Sequence, residues 1–337
     1  MIGGWGHASG VLQQMEALGG CELVGIAKAL PEEEIAHFRQ FESVKTAKVY
    51  EDYRQMLREA KPEVVIVGTR LDRIAAVAMD AARAGCHLIC EKPLAIDHAA
   101  LAELYETVVR AKVQCIPMLA NRVNPLVRAA REAINSGRLG KIALVNARKS
   151  YKWGGRPEWF GKRSLYGGTI GWIGIHALDF IEAATGQTFA AVAAMQSNVG
   201  HPERPECEDN CGLMLRLSRG GQATVSIDLL RPEAAATWGD DWIRIVGTKG
   251  TIEASLERGE GTITTMDGPP QNLPATAKSA LYADFLKNLR EKPTEQSENM
   301  QRGFWLTHVC LCARDAADQG RIVEIDPRPY ALAGPTR

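Results

Sequence analysis

Up to about residue 120 the chain alternates short apolar runs with longer amphipathic stretches. "CELVGIA" (21–27) reads as a strand, and "PEVVIVGT" (62–69) is a continuous apolar run of the kind buried on both faces of a parallel sheet. "CHLICE" (86–91) is the next strand. Between these runs, "PEEEIAHFRQF" (31–41) predicts a helix with Pro31 in its first turn and acids where the helix dipole favours them. "VYEDYRQMLREA" (49–60) gives a strand end and then a helix. "LDRIAAVAMDAARAG" (71–85) is a helix closed by Gly85, and "IDHAALAELYETVVRAK" (96–112) a helix with Asp97 as N-cap. Repeated strand–helix units predict an α/β domain with a doubly wound parallel sheet, which binds ligands at the carboxyl ends of its strands.

After about residue 123 the period changes. A helix over 124–140 is followed by a long alternating strand (141–153) and by strand-like runs at 189–198, 210–218, 222–230, 241–247 and 250–255. Strands in succession predict a large, mostly antiparallel sheet with one open face. A Pro/Gly-rich loop lies at 267–274, and a helix is expected over 300–320. The expected division is therefore 1–122 and 123–337, the second part being α+β.

The length of 337 residues suits two domains of about 100–200 residues each. Lys+Arg and Asp+Glu both count 40, which removes the charge footprint of a general nucleic-acid binder. No apolar run approaches the roughly 18–20 residues that cross a bilayer, and the start lacks the features of a signal peptide. The expectation is a cytoplasmic protein without nucleic-acid or membrane partners. Eight cysteines are scattered without zinc-site spacing, so reduced, mostly buried thiols and no metal site are expected.

Gly4-Trp5-Gly6-His7-Ala8-Ser9 is a G-x-G-x-x-S variant of the dinucleotide loop. Gly4 permits the tight turn, Gly6 a close backbone approach, and Ser9 is small enough for helix–strand packing. Only Met1–Gly3 precede Gly4, so the strand that should lead into the loop is cut short. Lys28 stands where an acid would bind the ribose 2′-hydroxyl, which tilts the cofactor from NAD towards NADP.

Together with "AGCHLICEKPLA", "ANRVNPLVRAAREAINSGRLGKI", "GGTIGWIGIHALDFI" and "WGDDWIRIVGTKGTIEA", these stretches resemble the Gfo/Idh/MocA family, the glucose–fructose oxidoreductases, inositol dehydrogenases and relatives. The resemblance implies an N-terminal Rossmann domain, a C-terminal domain whose open sheet pairs subunits into homodimers or homotetramers, and NAD(P)-dependent hydride transfer on a carbon bearing a sugar or cyclitol hydroxyl. It makes Lys92 of the Glu-Lys-Pro motif the group that hydrogen-bonds the reacting hydroxyl, with Pro93 fixing the backbone after it. His176 is implied as general acid/base. Trp172, His176 and Asp179 would share a helix face by i, i+4 and i+7 spacing. Trp172 departs from the family's aspartate and offers a ring face and an indole N–H instead.

Thr69, Arg70, Glu91, Lys92 and Asn121 join Gly4, Gly6, His7, Ser9 and Lys28 as candidate cofactor contacts. "RKSYKWGGRPEWFGKRSLYGG" (148–168) concentrates aromatics beside cations and suits a polyhydroxylated ligand. Tyr151, Trp153, Arg156 and Trp159, with Arg122, Trp172 and Asp179, are the candidate substrate contacts. Two other readings use the same scaffold: NAD-assisted elimination on a glycoside without net redox, and a non-catalytic sugar or nucleotide sensor.

Overall fold

The computed structural model describes residues 1–291, 298–326 and 330. The chain forms two compact units. One comprises Met1–Met118 with the described part of Ala280–Thr307 and Tyr330; the other comprises Leu119–Ser279 with the described part of His308–Arg328. The expected division after residue 122 thus lies four residues late, and it also placed 280–307 in the second part. The helix Leu281–Glu291 belongs to the first unit because it packs on the helix Ala8–Leu18. Gln14 Oε1 there accepts from Tyr282 N–H at 2.9 Å.

In the first unit five short strands, β1 (Gly25–Ala27), β2 (Lys48–Tyr50), β3 (Val64–Val67), β4 (His87–Cys90) and β5 (Cys115–Pro117), are all parallel. Ile2 bridges the two halves, pairing with Ala27 of β1 and Val67 of β3. It donates to Ile66 O at 2.8 Å and accepts from Gly68 N at 2.9 Å. The Met1 amine is buried against Gly25 O at 2.7 Å, and burial pulls its pKa down to about 5. Met1, Val11, Met15, Ile66 and Ile89 line an open cavity of about 590 Å³ beside this one-residue strand.

The helix predicted over 31–41 does not form as such. Only a 3₁₀ turn, Ala36–Gln40, and a short helix, Glu42–Thr46, are present. The reason lies in Glu33, whose buried carboxylate turns back to accept from Ala29 N at 2.7 Å and from Thr69 Oγ1. Side chains that bond nearby backbone in this way compete with helix formation. Asp97 caps its helix as expected, accepting from Ala100 N at 2.8 Å.

The second unit carries a nine-stranded sheet built from β6 (Ile142–Lys152), β7 (Phe189–Ser197), β8 (Asn210–Leu217), β9 (Gln222–Arg231), β10 (Trp242–Gly247), β11 (Gly250–Ser255), β12 (Glu260–Thr265), β13 (Gln271–Asn272) and β14 (Val323–Glu324). The order is β13-β12-β11-β10-β6-β9-β8-β7-β14, antiparallel except for the parallel pair β6/β9. Alternation sets the faces: Cys211, Leu213, Leu215 and Leu217 of β8 point inward, while Met214 is 55% exposed on the other side. Against the inner face packs the helix Ile175–Thr185.

That helix does not start as predicted. Ile170–Gly174 is a π-helical turn, so Trp172 is rotated relative to His176 and Asp179 from the register of a uniform α-helix. Such wide turns occur frequently at functional sites. Almost every residue of the helix is buried, Asp179 and Glu182 included. Burial raises the Glu182 pKa to about 8, with Arg122 opposing and Asp179 reinforcing the shift.

Two outcomes follow from this packing. A Cβ on Gly68 would lie 2.4 Å from the carbonyl oxygen of Trp5, an encounter of two backbone segments. Gly68→Ala should therefore destabilise the first unit by at least about 2 kcal/mol, seen as a lowered melting temperature. Glu182 binds a proton in the native state over a range, from about 4.5 to about 8, where the unfolded chain has released it. Its contribution to stability is complete below the lower value and is lost as pH rises through the upper one. Denaturant titrations should show Glu182→Gln flattening this decline, by up to about 1.4 kcal/mol per pH unit.

Candidate active site

β4 delivers Glu91 and Lys92 to the carboxyl end of the parallel sheet. Glu91 N–H extends the ladder by donating to Val67 O at 2.8 Å. Its carboxylate is buried and accepts from His7 N at 2.5 Å and from Lys92 N at 2.9 Å, with His7 Nδ1 also at 2.9 Å. Burial pushes the Glu91 carboxyl up, but the His7 and Lys92 interactions outweigh it and leave the pKa below the usual value. Gly6 makes this approach possible, since a Cβ there would stand 1.9 Å from Glu91 Oε2. Lys92 is buried, and a cis peptide joins it to Pro93.

Gly4, Gly6, His7 and Ser9 form the turn and first residues leading into the helix Ala8–Leu18, whose amino end suits an anionic pyrophosphate. Gly4 is required for a second reason: its Cβ would meet Glu34 O at 2.5 Å. Lys28 is turned to Pro31 O at 3.4 Å. Thr69 hydrogen-bonds Glu33, and Arg70 is held by Asp72 at 2.7 Å and by Glu32 at 3.1 Å. The glycine loop, Glu91, Thr69 and the Glu32–Glu34 segment therefore form one cluster. Glu33 escaped the sequence reading because its acid run looked like a helix start.

In the second unit, Arg122 donates its N–H to Asp179 Oδ2 at 3.1 Å, and its guanidinium lies 3.7 Å from Oδ1. Burial raises the Asp179 pKa to about 6 despite Arg122. His176 is buried one turn before it on the same helix. Trp172 meets Phe160 edge-on, centroids 5.6 Å apart, and Phe160 stacks on Trp159 at 4.1 Å. Trp153 stacks on His201 at 3.7 Å, with Arg156 beside its ring.

Asn121, expected at the cofactor, belongs to this unit and donates to Asp241 at 3.0 Å. Asp241 also pairs with buried Lys149, whose amine lies 4.5 Å from the Tyr151 ring centroid. Burial would lower the Lys149 pKa, but Tyr151 and Asp241 raise it. Lys149 and Asp241 were missed because one sits within a strand of ordinary alternation and the other in "GDD". An imidazole, a carboxylate and a lysine–phenol pair can exchange protons and orient hydroxyl groups, while indole rings cover the C–H faces of a sugar.

Residues 1–118 match the profile described as "Oxidoreductase family, NAD-binding Rossmann fold", and residues 127–253 match the "GFO/IDH/MocA C-terminal domain". Levoglucosan dehydrogenase of Pseudarthrobacter phenanthrenivorans is 31% identical over 159 residues, 46% of this chain and 40% of that protein. Inositol 2-dehydrogenase of Rhizobium meliloti is 28% identical over 199 residues, 58% of each chain. The matched stretches thus span less than two thirds of these relatives. A solved structure from Thermotoga maritima, 32% identical, superposes with a TM-score of 0.89 over 96% of this chain and 98% of its own. Levoglucosan dehydrogenase in complex with NADH and levoglucosan, at 22% identity and a TM-score of 0.82 over 96% of this chain and 98% of its own, shares the fold. With both domain profiles matched in order and a full-length structural counterpart, the chain belongs to the GFO/IDH/MocA family of oxidoreductases.

Proposed function

We propose that the chain is an NAD-dependent dehydrogenase acting on a secondary carbinol carbon of a sugar, sugar derivative or cyclitol. The observation that carries this reading is the buried Glu91-Lys92 pair at the end of β4, tied to the glycine loop through His7. Relatives named inositol 2-dehydrogenase, levoglucosan dehydrogenase and D-glucoside 3-dehydrogenase support the substrate class. When bound, the nicotinamide cofactor supplies the hydride acceptor or donor. Gly4, Gly6, His7 and Ser9 would hold its pyrophosphate, with Thr69, Arg70, Glu91 and Lys92 around the ribose and nicotinamide. Asn121 is a weaker candidate, being engaged with Asp241.

The sequence tilted the cofactor towards NADP through Lys28. The surroundings of β1 and β3 favour NAD instead: Glu32, Glu33 and Asp72 cluster there, and Arg70 is already neutralised. Carboxylates accept from ribose hydroxyls and repel a 2′-phosphate.

In this reading Lys92 hydrogen-bonds the reacting hydroxyl and His176 exchanges its proton. Asp179 and Arg122 hold neighbouring hydroxyls, and Tyr151, Trp153, Arg156, Trp159 and Trp172 contact the sugar body. The open sheet face, where Met195 is 82% exposed beside Met214, would pair with a second copy of the chain. Among the described residues no helix is long and apolar enough to cross a membrane.

NADH absorbance with a panel of neutral and acidic sugars and cyclitols tests the activity, with NAD expected to serve better than NADP. Lys92→Met should lower kcat by about 10³ in a folded protein, and His176→Asn by about 10² with loss of the corresponding limb of the pH profile. Full activity in Lys92→Met, or no binding of either dinucleotide by calorimetry, would remove the reading.

A further inference from the structure

Arg156 and Arg204 differ from the ion-paired basic residues of the second unit. Arg122, Arg148, Arg163, Arg231, Arg244 and Lys149 each face a carboxylate at 4.0 Å or less. Neither Arg156 nor Arg204 has one among the described residues. Arg156 donates to Lys152 O at 3.3 Å, and Arg204 to Pro157 O at 3.0 Å and Arg156 O at 3.4 Å, so every partner is a backbone carbonyl. The Arg156 Nε is buried and makes no hydrogen bond among the described residues.

Both guanidinium groups sit against the same indole. Their central carbons lie 5.6 and 5.5 Å from the Trp153 ring centroid, and His201 stacks on that ring at 3.7 Å. Arg156 is also 5.3 Å from the Phe160 centroid, and Phe160 touches Trp172, four residues before His176. Burial lowers the Arg156 pKa, and the neighbouring Arg204 charge adds to this. A largely buried cation with a donor left over, beside a second guanidinium that hydrogen-bonds its backbone carbonyl, costs stability unless an anion joins them. Guanidinium forks match the planar, bidentate geometry of an oxyanion.

We propose that Arg156 and Arg204 form an anion subsite that selects an acidic sugar, binding the carboxylate or phosphate of the substrate through charge-assisted hydrogen bonds. The assignment rests on the dehydrogenase reading for the substrate being a sugar, but the anion subsite can be tested without turnover.

The test is calorimetric titration of the protein, with NAD present, using D-glucuronate, D-glucose 6-phosphate and D-glucose as probes. One of the two acidic probes should bind about tenfold or more tightly than glucose, as expected for a hydrogen-bonded charge. Preference for glucuronate identifies a carboxylate, and preference for the ester identifies a phosphate. In Arg156→Gln and in Arg204→Gln the ratio of glucose to acid dissociation constants should fall to within about twofold of one, and Arg156→Lys should keep part of it. Equal affinity for all three probes, or a preference that survives both glutamine variants in folded protein, would overturn the subsite even if the chain is an active dehydrogenase. If the preference collapses in the variants while no sugar reduces NAD, the subsite stands and the dehydrogenase reading fails.

Discussion

The first unit is organised by a carboxylate buried away from bulk solvent. Glu91 is buried at the end of β4, where an isolated anion would be driven to protonate. It stays ionised because the backbone N–H groups of His7 and Lys92 and the His7 ring converge on it. The glycine loop must then pass within contact distance of the strand end, which only a residue without Cβ at position 6 allows. Loop shape, strand end and the backbone of Lys92 are therefore one arrangement.

The second unit solves the same problem on a helix. Asp179 and Glu182 lie on a segment buried along its whole length, and Arg122 is the cation that partly offsets their desolvation. The offset is incomplete, so both acids stay partly protonated at pH values where exposed ones are fully charged. Groups that titrate near neutrality beside a histidine are suited to exchanging protons.

Fold class and family were legible because they rest on features carried locally. Apolar runs at the right period marked β3, β4 and the long strands of the second unit, and Asp97 announced its own helix. What the sequence concealed depends on long-range contact. The acids at 32–34 read as a helix start, and only the fold shows Glu33 reaching Thr69. Even spacing from Trp172 to Asp179 implied one α-helical face, whereas tertiary packing inserts a π turn. Thr-rich β12 and the two-residue β13 and β14 carry too little apolar alternation to be seen without neighbours to pair with. Lys149 sat unremarked on a strand because nothing local reveals that Asp241 lies opposite it.

These buried charges are poor choices if stability is the only aim. Replacing a buried ion pair with well-packed apolar residues is commonly neutral or stabilising, because desolvation consumes much of the attraction. The chain nevertheless buries Lys149 with Asp241 and Arg122 with Asp179, and it buries the Glu91 carboxylate beneath an exposed His7. Each cluster contains or adjoins a residue whose chemistry the fold leaves unexplained: Tyr151 and Asn121, His176, and Lys92. A fold that needed only a core would have used leucine at such places. The polar interiors are better understood as preorganised groups, fixed before a hydroxylated ligand arrives so that orienting it requires little further rearrangement.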